Sequence, residues 1–242
     1  ESLDYPRKAI KFQVLGADTI ALPDFDWYDV YKQLEFPPVT WHRLIDKAAS
    51  MGEVYIDVFD RYGVEVMAEN QTSVAGIKLQ ASVLENDEVV SALQALNLSA
   101  MRVVLNVSGY ELSDIHRILK RFRMLTRQLV LQIGFQAYPT ALEDTALQKI
   151  ATLRAAFPDL PLGIADHADG GSDFAELAPL YAHLLGCSHI EKHFCRERAR
   201  APYDGYSALE PNQMQRLCSR LKDLVAANHG PFVNSKEQNY LA

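Results

Sequence analysis

Cysteine is scarce in this chain: Cys187, Cys195 and Cys218 are the only three in 242 residues. The odd count and the lack of any CxxC pair argue against a disulfide framework or a structural zinc site, and they fit a reducing, cytoplasmic setting. Long apolar runs are missing too. None approaches the ~18–20 residues that span a bilayer, and the opening "ESLDYPRK" lacks the apolar stretch of a secretory signal, so no membrane partner is expected. Basic residues are in deficit. Lys and Arg number 24 against 31 Asp and Glu, a net charge of −7, which argues against general nucleic-acid binding. An anionic ligand would have to be met by basic groups gathered locally. No repeat, low-complexity tract or linker divides the chain, and residues 1–242 read as one domain.

What is present alternates. β-rich runs occur at 9–15, 53–59, 75–81, 101–107, 129–135, 160–167 and 188–194. Helical patterns lie between them. "TWHRLIDKAASMG" offers Thr40 as N-cap and Gly52 as a stop. "SDIHRILKRFRMLT" repeats apolar residues at Ile115, Ile118, Leu119 and Phe122, one face of a helix. "EPNQMQRLCSRLKDLVAANHG" does the same and ends at Gly230. Strand–helix repetition implies parallel strands joined by right-handed crossovers. Seven units are one short of an eight-stranded barrel, so an initial strand and helix are expected to be absent from this sequence. Residues 16–39 show neither period, and their aromatic content suggests a packed excursion.

The strands do not stay apolar to their ends. Lys11 and Gln13 alternate on the first, Asp57 ends the second, and Lys78 and Gln80 alternate on the third. Asn106, Gln136 with Tyr138, Asp166 with His167, and Glu191 with His193 close the others. Polar groups buried unpaired would each cost several kcal/mol, so a wet or liganded cavity at the carboxyl ends of the strands is expected. His167 and His193 end consecutive strands, and at ~4.8 Å strand spacing their imidazoles lie side by side. Such a pair suits a divalent cation, with Asp166 or Glu191 as outer acceptors. A hydrogen-bonded core role is the plainer alternative for each histidine taken alone. Cys195 reads as a half-buried thiol more readily than as a third ligand. Within "HIEKHF", alternation puts Glu191 and His193 on one face and Lys192 on the other, where it needs a partner. His189 sits at the start of the strand, away from the active face. The tract with Arg196, Arg198 and Arg200 offers either anion capture or a solvated loop. Asp204 can accept hydrogen bonds from sugar hydroxyls or start a turn with Gly205.

Several segments together resemble the sialic acid synthase family, which includes the N-acetylneuraminate, legionaminic and pseudaminic acid synthases. They are "IKFQ", "AGIKLQAS", "GFQAYPT", "GIADHADGG", "IEKHF" and "APYDGYSALEP", in the family's order from about Lys11 to Leu241. The resemblance implies a (β/α)8 TIM barrel without its first βα unit and without the C-terminal antifreeze-like domain. It implies a transferase that condenses phosphoenolpyruvate with an N-acyl amino sugar to a nine-carbon 2-keto acid. A divalent metal, manganese or magnesium, would be held by His167 and His193. Lys11, Lys78 and Tyr138 take catalytic positions. Gln13, Asp57, Ser82, Ser108, Gln136 and Asp204 take substrate-binding ones. The family precedent is a homodimer.

The chain departs from the family in the phosphate pocket. Asp57 stands at the family's threonine, Ala81 at a serine (unless Ser82 takes its role), Val107 at another beside Ser108, and Ala165 at a third. A carboxylate ~4 Å from phosphate costs ~4 kcal/mol at an effective dielectric near 20. Two alternatives therefore stand beside the synthase: an aldolase-type barrel with an altered substrate, and a degenerate, non-catalytic domain.

Overall fold

A computed structural model describes residues 7–134, 137–201 and 203–241. Its centre is a parallel sheet of seven strands in chain order. These are β1 (Ala9–Val14), β2 (Glu53–Val58), β3 (Gly76–Leu79), β4 (Arg102–Asn106), β5 (Leu129–Ile133), β6 (Leu162–Asp166) and β7 (Cys187–Lys192). All seven expected strands form, and helices cover the outer face. The sheet curls so far that Lys11 on β1 lies 3.4 Å from Glu191 on β7, although the two strands are not neighbours in the sheet. The architecture is a barrel-like α/β fold with an open seam between β1 and β7.

Alternation along each strand sorts the residues. Ile56, Ile77, Leu79, Val103, Leu105 and Ile164 face outward and form one apolar core with the helices. The inner face carries a smaller apolar layer of Tyr55, Val104 and Val130. Nearer the carboxyl ends that face turns polar.

Helix ends differ from the sequence reading at two places. The first long helix runs Pro38–Ala49 with Pro37 before it, so Thr40 is inside the first turn and not its cap. Pro38 supplies the fixed φ that suits the first helical position. The last long helix, Pro211–Asn228, opens on a reciprocal cap between Glu210 and Gln213 and stops at His229, one residue before Gly230. Within 16–39 two short helices form, Ala17–Ile20 and Tyr28–Leu34. Trp27 from this excursion meets Tyr203 edge-on, ring centroids 5.6 Å apart.

Candidate active site

Strand register assembles the site in two layers. The lower layer lies on the inner face of the sheet. Lys78 is in register with Asp57 on β2, and Gln132 with Asn106 on β4. Lys11 Nζ lies 2.5 Å from Asp57 Oδ2, and Lys78 Nζ donates to Glu191 Oε1 at 2.8 Å. Gln80 Nε2 donates to Asp57 Oδ2 at 2.9 Å, and Asn106 Nδ2 to Gln80 Oε1 at 3.0 Å. Gln132 Nε2 donates to Glu191 Oε2 at 3.2 Å. Two ammonium groups thus meet two carboxylates inside the sheet.

Ionisation follows from this arrangement. Burial opposes the charge on Lys11, but Asp57 and Glu191 outweigh it and raise its pKa. For Lys78 burial wins, helped by the neighbouring Lys11 charge, and its pKa falls. Burial would raise the Glu191 pKa, yet the two lysines override it and hold the carboxyl well below the usual range.

The upper layer comes from the loops after β5, β6 and β7. The His167 and His193 rings stand edge to face with centroids 5.0 Å apart. Tyr138 packs on both, at 4.7 Å and 5.4 Å. Asp204 Oδ2 is 3.6 Å from His193 Nδ1. Burial, then the charges of His167 and Lys11, push the His193 pKa down to about 3, so its imidazole is neutral at pH 7. Burial also raises the pKa of Tyr138, with Asp204 adding to it, and keeps the phenol protonated. The donor set of two imidazoles fits a divalent cation, with the remaining positions left to water or substrate. Among the described residues no group of three His, Cys, Asp or Glu side chains gathers at metal-binding geometry, so Cys195 is not gathered with the two histidines.

Several site residues have other commitments. Ser108 Oγ donates to the Gly134 carbonyl and accepts from its N–H, at 3.0 and 2.8 Å, tying β4 to β5. Ser82 is exposed in the turn after β3, and Gln13 is exposed beside the seam. Gln136 lies outside the described residues. The outer-acceptor roles expected of Asp166 and Glu191 are corrected: each carboxylate engages lysine. Asp166 Oδ2 lies 2.5 Å from Lys192 Nζ, and both side chains are buried. The partner Lys192 needs is therefore on the adjacent strand, in register with it. Of the arginine tract, Arg198 donates to the Ala208 carbonyl and to Gln213 Oε1, and Arg200 pairs with Glu197. Gln132 was missed by the sequence reading because it lies inside a strand and not past its end. Its alternation with Val130 was the available signal.

An inward ring of polar side chains at the carboxyl ends of parallel strands defines the class: an α/β barrel-type fold with its candidate site at the strand ends. Residues 7–230 match the NeuB family model, and the chain belongs to that family. It is 24% identical to the spore coat polysaccharide biosynthesis protein SpsE of Bacillus subtilis, over 90% of this chain and 60% of that protein. It is 25% identical to a pseudaminic acid synthase of Campylobacter jejuni, over 83% of this chain and 56% of that one. The chain thus spans about 60% of the length of the curated relatives it matches. In fold it is similar to a sialic acid synthetase from Leptospira borgpetersenii solved with citrate. That similarity has a TM-score of 0.83 and 21% identity, and covers 96% of this chain and 79% of the other.

Proposed function

We propose that this chain is the barrel of a cytoplasmic transferase that builds a sialic-acid-like sugar acid. A three-carbon keto-acid donor would be joined through its C3 to the aldehyde carbon of an open-chain N-acyl amino sugar. Phosphoenolpyruvate is the donor that the family resemblance implies. The observation that carries this reading is the convergence of His167, His193, Tyr138 and Asp204 above Lys11 and Lys78.

His167 and His193 would hold the divalent cation, manganese or magnesium, which supplies Lewis-acid polarisation of the aldehyde when bound. Asp204, whose side chain is 43% exposed, accepts hydrogen bonds from sugar hydroxyls. Tyr138, protonated at neutral pH, borders the reacting carbons and donates a hydrogen bond there. As C3 of the donor attacks, the aldehyde oxygen takes up a proton. Water then adds at C2, and phosphate leaves from the same carbon. Lys11 and Lys78 contribute positive charge toward the donor carboxylate. A homodimer is the assembly that the family precedent supports.

The test is phosphate release from phosphoenolpyruvate with manganese and a panel of N-acyl amino sugars. Release with at least one sugar is expected, and silence with every sugar sinks the phosphoenolpyruvate reading. The Asp57–Lys11 ion pair favours a second reading, an aldolase-type reaction with an unphosphorylated keto acid such as pyruvate. A product whose mass is the sum of pyruvate and the sugar identifies that case. A domain that binds without turnover gives neither signal.

A further inference from the structure

Two loops meet at the carboxyl end of the open seam. The 16–39 excursion follows β1, and the segment with Asp204 follows β7. These two strands end the strand order and are not paired. Trp27 and Tyr203 nevertheless join their loops edge to face, ring centroids 5.6 Å apart. Neither ring is sheltered: Trp27 is 45% exposed and Tyr203 37%.

Both rings are held in place. Asp60 accepts from the Gly16 N–H at 2.6 Å and Glu35 from the Ala17 N–H at 3.2 Å, which fixes the start of the excursion. Lys32 bridges Asp18 and Glu35 within it, and Phe25 stacks on Tyr31. On the other side of the seam Tyr203 has a φ of 62°, an outlier for a bulky residue. Residues strained in this way persist where their surroundings hold them, and they gather at ligand clamps.

Position decides what the pair can do. Tyr203 adjoins Asp204, whose carboxylate is 3.6 Å from His193, so the two rings border the site on the Asp204 side. The acceptor's aldehyde goes to the imidazoles and its hydroxyls to Asp204. Its N-acyl group, a flat amide with an alkyl end, is left over. Aromatic faces offer that group apolar contact without charge.

We infer that Trp27 and Tyr203 form the subsite for the acceptor's N-acyl group and set the preference for acylated over plain sugars. The inference rests on the amino-sugar acceptor proposed above and is independent of the donor.

The experiment uses intrinsic fluorescence. Trp27 and Trp41 are the only two tryptophans, and Trp41 is 4% exposed, so Trp41→Phe leaves Trp27 as the sole indole. The whole chain is titrated, with magnesium present, with N-acetylmannosamine and N-acetylglucosamine. Mannose and glucose, which carry a hydroxyl in place of the acylamino group, are the comparisons. At least one acylated sugar should change Trp27 emission saturably and bind at least about fourfold more tightly than its parent, the worth of one buried methyl group. In calorimetry Trp27→Ala should erase that preference and Trp27→Phe should keep most of it. Circular dichroism checks each fold. If Trp41→Phe does not fold, protection of Trp27 from iodide quenching in the wild type gives the same reading. No response to either acylated sugar, equal binding of acylated and parent sugars, or a preference that survives Trp27→Ala overturns the inference. Emission that follows protein concentration and not sugar also overturns it, by marking the rings as a contact between copies. Phosphate release with an acylated sugar that is indifferent to Trp27→Ala sinks the inference and sustains the reaction. Acyl-selective binding through Trp27, without turnover of any donor, sinks the reaction and leaves the inference standing.

Discussion

Asp166 and Lys192 are each followed in sequence by a histidine of the site. Their ion pair ties β6 to β7 on the outer face while His167 and His193 project inward. With the pair 2% and 0% exposed, removing one partner leaves an uncompensated buried charge, a loss of about 3–5 kcal/mol. Lys192→Met should cost that much in urea unfolding, and Lys192→Met combined with Asp166→Asn should recover part of it. His193→Ala should abolish manganese binding in calorimetry with little change in melting temperature, because the ring lines the site and not the outer core. The depressed pKa of His193 also sets an acid sensitivity in the metal-free protein. Its folded pKa lies near 3 against an ordinary 6.5. Between those values the unfolded chain holds a proton that the folded chain refuses, so stability rises with pH across that window and is unaffected above it. One proton corresponds to about 1.4 kcal/mol per pH unit. His193→Gln should lower the slope of unfolding free energy against pH by up to that amount between pH 6 and 4 (roughly the middle of the window).

At the scale of elements, the strand ends are held by close backbone approaches. A methyl group at Gly134 would stand 2.8 Å from the Ala165 side chain and collide with the carbonyl of the same residue. Gly134→Ala is therefore expected to cost about 1–3 kcal/mol, read as a lowered melting temperature, and to weaken manganese binding by displacing the end of β6 below His167. The segment after β7 is fixed differently. Arg198 anchors it through Ala208 and Gln213, and the Arg198 N–H donates to Glu210 at 2.8 Å. The sequence offered anion capture or a solvated loop for this arginine. The structure gives it a third role, since its donors are used to hold the segment that carries Asp204.

Among the described residues, β1 and β7 are the two ends of the strand order and are not hydrogen-bonded to one another. Ile10 on β1 is 46% exposed, and an apolar edge strand is a template for association. Ile10→Lys should reduce concentration-dependent association in sedimentation velocity while leaving the melting temperature within about 0.5 kcal/mol equivalent of wild type. Across the seam Lys11 pairs with Glu191, which joins the lower layer of the site to both ends of the sheet, so curvature of the sheet and assembly of the site are one event.

The sequence by itself determined the seven strands, their parallel order, the inward histidines and the polar character of the strand ends. Each of these is a local signal: alternation, helical period, or residue type at a strand terminus. It left open which polar side chains satisfy one another. Lys11 and Asp57 are 46 residues apart and meet because β1 pairs with β2, whereas Lys78 and Glu191 are 113 apart on strands that do not pair, and only the curl of the sheet makes them neighbours. The first case also holds for Asp166 and Lys192, whose pairing depends on strand register. Tertiary structure alone decided that the buried lysines are matched by carboxylates. Charge balance in a buried layer is a property of what surrounds it, and no single strand carries that information.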